Sequence, residues 1–274
     1  MAMMRTPDVK KDARVRRSMR ESSFTLLATF VVLFSGSRVC GQIEPQQRPL
    51  RYVSEWEVPR DRWNEFESSA DHNIRPLMEM QMKKGTLLSW GTYRSMLIQD
   101  GAATHGLWFE TPSIEGLEKV LDELSRLPPL PVPPAAKHHD FLYRAQLRRA
   151  KSSQGTGGYL FVNTTQIQPG KRQNWREWWD KNQKPNFEQY LAEGLVTEYE
   201  LVREEIHHAG PNWVYLIYVT PSAEALDKVN ATFAANTAKR SPEENRLINE
   251  ALDAVVIPSG HQDYIARALA YSQR

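Results

Sequence analysis

Two segments of this chain place an aspartate two residues after a histidine and an arginine four residues after that: His138, Asp140 and Arg144, then His261, Asp263 and Arg267. On an extended strand, side chains two and four apart share a face, so the carboxylate could orient the imidazole for proton transfer. His and Asp are also metal-ligand types, but each strand alone supplies too few ligands and no metal is expected. An Asp to Arg ladder with a histidine at the strand end accounts for the same spacing structurally. A second set joins an aromatic to an arginine four residues on, Trp90 with Arg94 and Tyr199 with Arg203. In an enclosed space these would hold an aromatic or anionic ligand; at strand ends the arginines would pair with surface carboxylates. His105, on an expected third strand, is a one-sided candidate. The chain has no phosphate-binding glycine loop, HExxH, CxxC pair or nucleophile elbow, so no catalytic residue is assigned.

These candidates recur because the chain is duplicated. TPSIEGLEKV, starting at Thr111, returns as TPSAEALDKV, starting at Thr220, an offset of 220 − 111 = 109 residues. The same offset superposes Pro76 on Pro185, Gly85 on Gly194 and Arg94 on Arg203. The last segment repeats at 261 − 138 = 123, so the second copy is longer by 123 − 109 = 14 residues. Fixed-period similarity of this kind dictates architecture before any local pattern does.

Each copy reads as strand, helix, strand, strand, helix, strand. Tyr52 to Val58 alternates as a strand; Trp63, Phe66, Ala70 and Ile74 recur at helical spacing; Pro76 predicts a kink or a second short helix; Gly85 is a C-cap. Two strands follow, joined by a Gln99-Asp100-Gly101 turn. Thr111-Pro112-Ser113 starts a second helix, and His138 to Ala145 closes the unit. The extra length of copy two carries Ser241-Pro242-Glu243-Glu244, which predicts an added capped helix near 241–255. The pattern is a split βαβ unit, giving an α+β fold with repeats at 51–150 and 158–274 and linkers at 42–50 and 151–157.

This pattern, carried by Phe66, Pro76, Gly85 and Trp90 in one copy and Trp175, Pro185, Gly194 and Tyr199 in the other, resembles the dimeric α/β-barrel superfamily of ferredoxin-like units. The resemblance implies two four-stranded antiparallel sheets closing face to face into a barrel. It also implies a family that includes cofactor-free monooxygenases, haem-handling enzymes and exported proteins of no assigned activity. One sheet face left apolar must be buried against a partner, and here the partner is tethered. The expectation is therefore an intramolecular pseudo-dimer, monomeric in solution, with an inter-sheet cavity for a small aromatic or anionic molecule. Alternatives are a cofactor-free monooxygenase-like enzyme and a haem protein using His105, His138 or His261. The leading expectation needs no cofactor.

Residues 1–41 read as an export signal, with Arg5, Lys10, Lys11, Arg14, Arg16, Arg17 and Arg20 ahead of an apolar run from Phe24 to Phe34. That run is shorter than the roughly 20 residues a spanning helix needs. An uncleaved leader would instead act as a membrane anchor. The leader holds eight basic and three acidic residues, so removing its net +5 turns the chain's +2 into 2 − 5 = −3. Nucleic-acid binding then loses its electrostatic basis. A periplasmic or extracellular location without membrane association is expected, and the single Cys40 allows no internal disulfide.

Overall fold

The alternating pattern beginning at Leu50 forms β1 (Leu50–Trp56), whose even-numbered side chains Tyr52 and Trp56 pack under helices while Arg51 and Val53 face the opposite way. The computed structural model describes residues 48–98, 102–134, 136–207, 210 and 212–274; the leader and the Gln99-Asp100-Gly101 turn lie outside them. After β1 come α1 (Trp63–Ser69), a π-helical turn at Ala70–Ile74, and α2 (Arg75–Lys84). Pro76 stands in the first turn of α2, where its missing N–H costs least. The second copy meets the same constraint differently: α4 (Arg172–Asn182) stops, and α5 (Lys184–Glu193) restarts with Pro185 in its first turn. Gly85 and Gly194 end both helices at φ 79° and 74°, the left-handed region that glycine enters without strain.

The remaining first-half elements are β2 (Ser89–Ser95), β3 (His105–Thr111), α3 (Ile114–Ser125) and β4 (His138–Ala150). A short β5 (Ser153–Gly155) leads to β6 (Tyr159–Ile167), and β7 (Glu198–Glu204), β8 (Trp213–Thr220), α6 (Ala223–Ala238), α7 (Pro242–Asp253) and β9 (Val256–Gln273) follow α5. Ser113 and Ser222 cap α3 and α6 by accepting the Gly116 and Ala225 N–H groups, both at 3.1 Å. The expected added helix is α7, closed by a capping box between Ser241 and Glu244.

The strands run β2-β3-β1-β4-β7-β8-β6-β9, and β9 returns to β2, so eight antiparallel strands close a barrel; β5 extends the edge beside β9. Strands β4 and β9 are longer than the closing strands expected at 138–145 and 261–268. Each serves two neighbours. β4 pairs with β1 through Arg144 and with β7 from Tyr143 onward, while β9 pairs with β6 through Arg267 and with β2 from Ala266 onward. Bulges between Ala145 and Leu147 and in the Thr92 to Tyr93 region of the β2–β9 pairing shift the register where one neighbour gives way to the other.

Three apolar clusters result, one between the helices and sheet of each half and one inside the barrel. The inward cluster contains Tyr93, Trp108, Tyr143, Val202, Ile217 and Ala266. Gly91 and Gly106 make it possible, because a Cβ on Gly91 would overlap the Trp108 ring and one on Gly106 would overlap Tyr93.

Candidate functional site

The inward face defines the lumen: Arg51, Val53 and Glu55 on β1, Tyr93 on β2, Trp108 on β3, Phe141 and Tyr143 on β4, and Glu204, Tyr215 and Tyr264 on β7, β8 and β9, around a cavity of about 430 Å³. Trp90 and Arg94 are absent from this wall. With a side-chain period of two, they point outward to the helices: Trp90 packs with Met78, Phe109 and Leu117, and Arg94 donates to Glu67 at 2.8 Å beneath the Trp63 ring. Tyr199 and Arg203 take the equivalent outward face, Tyr199 packing with Trp179 and Phe187 and donating its hydroxyl to Glu188. Burial lowers the Arg203 pKa, with Arg172 nearby adding to the effect. The expected aromatic and arginine lining of the barrel interior is therefore corrected: the opposite parity faces inward.

The cations that do reach the interior are Arg51 and Arg148, and carboxylates hold both. Arg51 meets Glu200 directly and lies 3.5 Å from Glu198 and 3.7 Å from Glu110, while Arg148 reaches Glu110 at 2.6 Å and Glu198 at 2.7 Å. An anionic ligand would meet the Glu55 and Glu204 carboxyl groups on the cavity wall, where the guanidinium of Arg51 is already taken up by Glu200, Glu198 and Glu110. That charge balance disfavours the anionic ligand expected for this cavity.

The histidines occupy three separate environments. His105 is fully buried on the helical side, with Nε2 3.2 Å from Glu67 and Nδ1 3.0 Å from Thr104 Oγ1; burial lowers its pKa and Glu67 opposes the shift. His138 stacks on Trp56 at 5.0 Å, and its Nε2 lies 2.7 Å from Ser54 Oγ and 3.1 Å from Asp140. Asp140 also accepts the Tyr52 and Ser54 hydroxyls, at 2.6 and 2.7 Å. Arg144 takes no part in this group; it forks onto Glu205 at 2.6 and 2.7 Å. His261 Nε2 lies 3.4 Å from Asp263, whose other oxygen accepts the Asn163 amide at 2.9 Å.

The last pair, His261 and Asp263, lines a cavity. About 560 Å³ of space lies between the outer face of β6, β8 and β9 and the helices α4 to α7. Eight aromatic rings line it: Phe161, Trp175, Trp178, Trp179, Phe187, Tyr190, Tyr218 and Phe233. The added helix α7 covers it, contributing Leu252 and Asp253 and anchored where Trp178 Nε1 donates to Ile248 O at 3.0 Å. At this wall the buried Trp179 Nε1 and Tyr190 hydroxyl have no hydrogen-bond partner. Burial raises the Tyr218 pKa, and the charge of Asp263 adds to it, which places that hydroxyl within electrostatic reach of the His261 and Asp263 pair.

The arrangement offers a mostly apolar chamber for a flat molecule, with donors at the wall and an imidazole-carboxylate pair at the rim. Sequence reasoning named that pair but missed the chamber. Its clue was the 14-residue surplus of the second copy together with Trp175, Trp178 and Trp179, three tryptophans on one helix. Among the described residues no group of three His, Cys, Asp or Glu side chains comes together to hold a metal, and no helix is long and apolar enough to cross a membrane.

No protein-family model matches the chain, and no curated protein sequence matches it either. Solved structures do. A proposed monooxygenase of Fusobacterium nucleatum superposes with a TM-score of 0.58 at 11% identity, over 83% of this chain and 95% of that one. A second, from Lactobacillus acidophilus, gives 0.54 at 9% identity over 81% and 94%. An anthrone oxidase-like protein gives 0.45 at 12% identity over 82% and 93%. At such identities the likeness to the first two speaks for architecture alone, and with the closed eight-stranded antiparallel barrel it shows that this chain has the dimeric α/β-barrel fold.

Proposed function

We propose that the protein is an exported binder of small, largely apolar aromatic molecules, and that the ligand occupies the chamber beneath α4 to α7. One observation carries this reading: eight aromatic rings line a space at whose wall Trp179 and Tyr190 keep an indole N–H and a hydroxyl buried without partners. A buried donor left unsatisfied costs about 1–3 kcal/mol. A carbonyl, ether or phenolic oxygen on a flat ligand would recover part of that cost, while the rings bury its apolar faces.

Export rests on the basic and apolar pattern of residues 1–41. The duplicated sequence supports two tandem ferredoxin-like units at 51–150 and 158–274, and the seams β4 to β7 and β9 to β2 supply within one chain what a second copy would otherwise provide. A monomer follows from that reading.

A catalytic version of the same site is favoured by His261 at the rim and by the proposed monooxygenases among the structural neighbours. His261, oriented by Asp263, would take the proton from a ligand hydroxyl, leaving an electron-rich anion that molecular oxygen oxidises.

The test is fluorescence titration of the purified chain with 1-naphthol and 1,4-naphthoquinone, followed by oxygen uptake with the same naphthol. Saturable quenching of the chamber tryptophans is expected, and a flat titration with both compounds removes the binding reading. Oxygen uptake that is unchanged in His261→Gln and Asp263→Asn removes the catalytic one. A Soret band appearing with hemin and lost in His261→Gln would replace both with a haem-binding function.

A further inference from the structure

We infer that the barrel lumen is a second and separate binding site, and that it takes a small organic cation carrying an oxygen acceptor. Six of its thirteen lining residues are aromatic: Tyr93, Trp108, Phe141, Tyr143, Tyr215 and Tyr264. Set into that wall are two carboxylates, each held by a phenol: Tyr93 donates to Glu55 at 2.6 Å and Tyr215 to Glu204 at 2.7 Å. Glu55, Tyr143 and Glu204 all line the same cavity, so the two carboxylates face one space. Ring faces beside fixed negative charge are the environment that stabilises an ammonium group.

The floor does not cancel this. Arg51 lines the cavity, but its guanidinium is taken up by contacts with Glu200, Glu198 and Glu110, and Arg148 is taken up by Glu110 and Glu198. Burial pushes the Glu55 carboxyl up, a penalty on its charged form that a bound cation would relieve. The indole N–H of Trp108, a lining residue only 1% exposed, has no partner. A hydroxyl or carbonyl oxygen on the same ligand would satisfy it.

The site stands apart from the chamber beneath the helices. The two cavities lie on opposite faces of β6, β8 and β9: Leu160, Val162, Tyr215 and Tyr264 line the lumen, whereas Phe161, Asn163, Val214 and His261 line the chamber. Neither proposal depends on the other.

Calorimetric titration with choline, and with its uncharged isostere 3,3-dimethylbutan-1-ol, decides the matter on the purified full-length chain. Choline is expected to bind one to one and about tenfold or more tightly than the isostere, a ratio within reach of a desolvated cation held by rings and carboxylates. Glu204→Gln and Glu55→Gln should each weaken choline binding about tenfold, while Val229→Phe, which fills the other cavity, should leave it unchanged. Equal affinity for the isostere, no heat with millimolar choline, or undiminished binding in both glutamine variants overturns the inference. If the variants fail to fold, the comparison of choline with its isostere on the unaltered chain still decides it.

Discussion

Val120 and Val229 occupy the same position in the two copies, 229 − 120 = 109 residues apart on the helices after β3 and β8, yet Val120 is sealed among packed side chains whereas the buried Val229 lines the chamber. Around Val120 stand Met78, Leu87, Phe109 and Leu117. At Val229 the chamber lies alongside, because the extra residues of the second copy build α7 over it instead of letting the helices settle on the sheet.

The duplicate supplies its own control. Val120→Phe should cost about 1–3 kcal/mol, the usual penalty for forcing extra volume into a full core. Val229→Phe should cost clearly less, since its ring has somewhere to go, and it should abolish 1-naphthol quenching. Urea unfolding of both variants checks the difference. Equal destabilisation would mean that the chamber closes up in solution.

Gly91→Ala tests the lumen in the same spirit. The added methyl would overlap the six-membered ring of Trp108, which is 1% exposed and cannot swing into solvent. A loss of about 1–3 kcal/mol is expected, with a change in tryptophan emission as Trp108 is displaced toward the cavity. An unshifted spectrum with wild-type stability would show that the ring and the strand have more freedom than their packing implies.

The order of elements was legible in the sequence because each has a local cause: Gly85 and Gly194 as caps, Pro76 and Pro185 as breaks, Ser113 and Ser222 as helix starts, Ser241 and Glu244 as the capping box of α7. Which sheet face points inward was not, because both faces are buried and period-two alternation carries no sign. Glu198, Glu200 and Glu204 on β7 resemble a solvated edge, yet they face the lumen, and Trp90 and Tyr199, which look like cavity walls, lie under helices. Arg51 and Arg148, distant in sequence, explain how the strand tolerates Glu198 and Glu200, and the Tyr215 hydroxyl holds Glu204. The bulge near Gln146 hides this further, because it sets Arg144 and Arg148 on opposite faces despite an even spacing.

The buried cluster should respond unequally to loss of its members. Arg51→Ala leaves three carboxyl groups sharing Arg148 alone, and removing one partner from a buried ionic group typically costs about 3–5 kcal/mol. Glu200→Gln should cost less, since burial already favours the protonated form of that carboxyl and the amide imitates it. Chemical denaturation of the two variants compares them directly. A costlier glutamine than alanine would mean that Glu200 is charged and is the main counterion of Arg51.

The same cluster sets the dependence of stability on pH. Glu198 is pushed up to about 7, burial being the main cause, with the nearby Glu110 charge adding and Arg148 and Arg51 opposing; burial also raises Glu200. Glu110 is held down to about 2, because although its burial opposes charge, Arg148 and Arg51 together outweigh it. For Glu198 the folded state keeps a proton that the unfolded chain gives up near 4.5, so its stabilising contribution is complete below that pH and is lost as pH rises through about 7; Glu200 acts with the same sign. Glu110 behaves oppositely, contributing above about 4.5 and losing its share as pH falls toward 2. Their summed contribution should therefore peak near pH 4.5 and decline on both sides, toward about 2 and toward about 7. Glu198→Gln, neutral at every pH, should flatten the alkaline decline and leave the acid limb intact. Urea midpoints across this range measure both limbs, and a wild-type stability that climbs from pH 6 to pH 8 would contradict the assignment of a retained proton to Glu198.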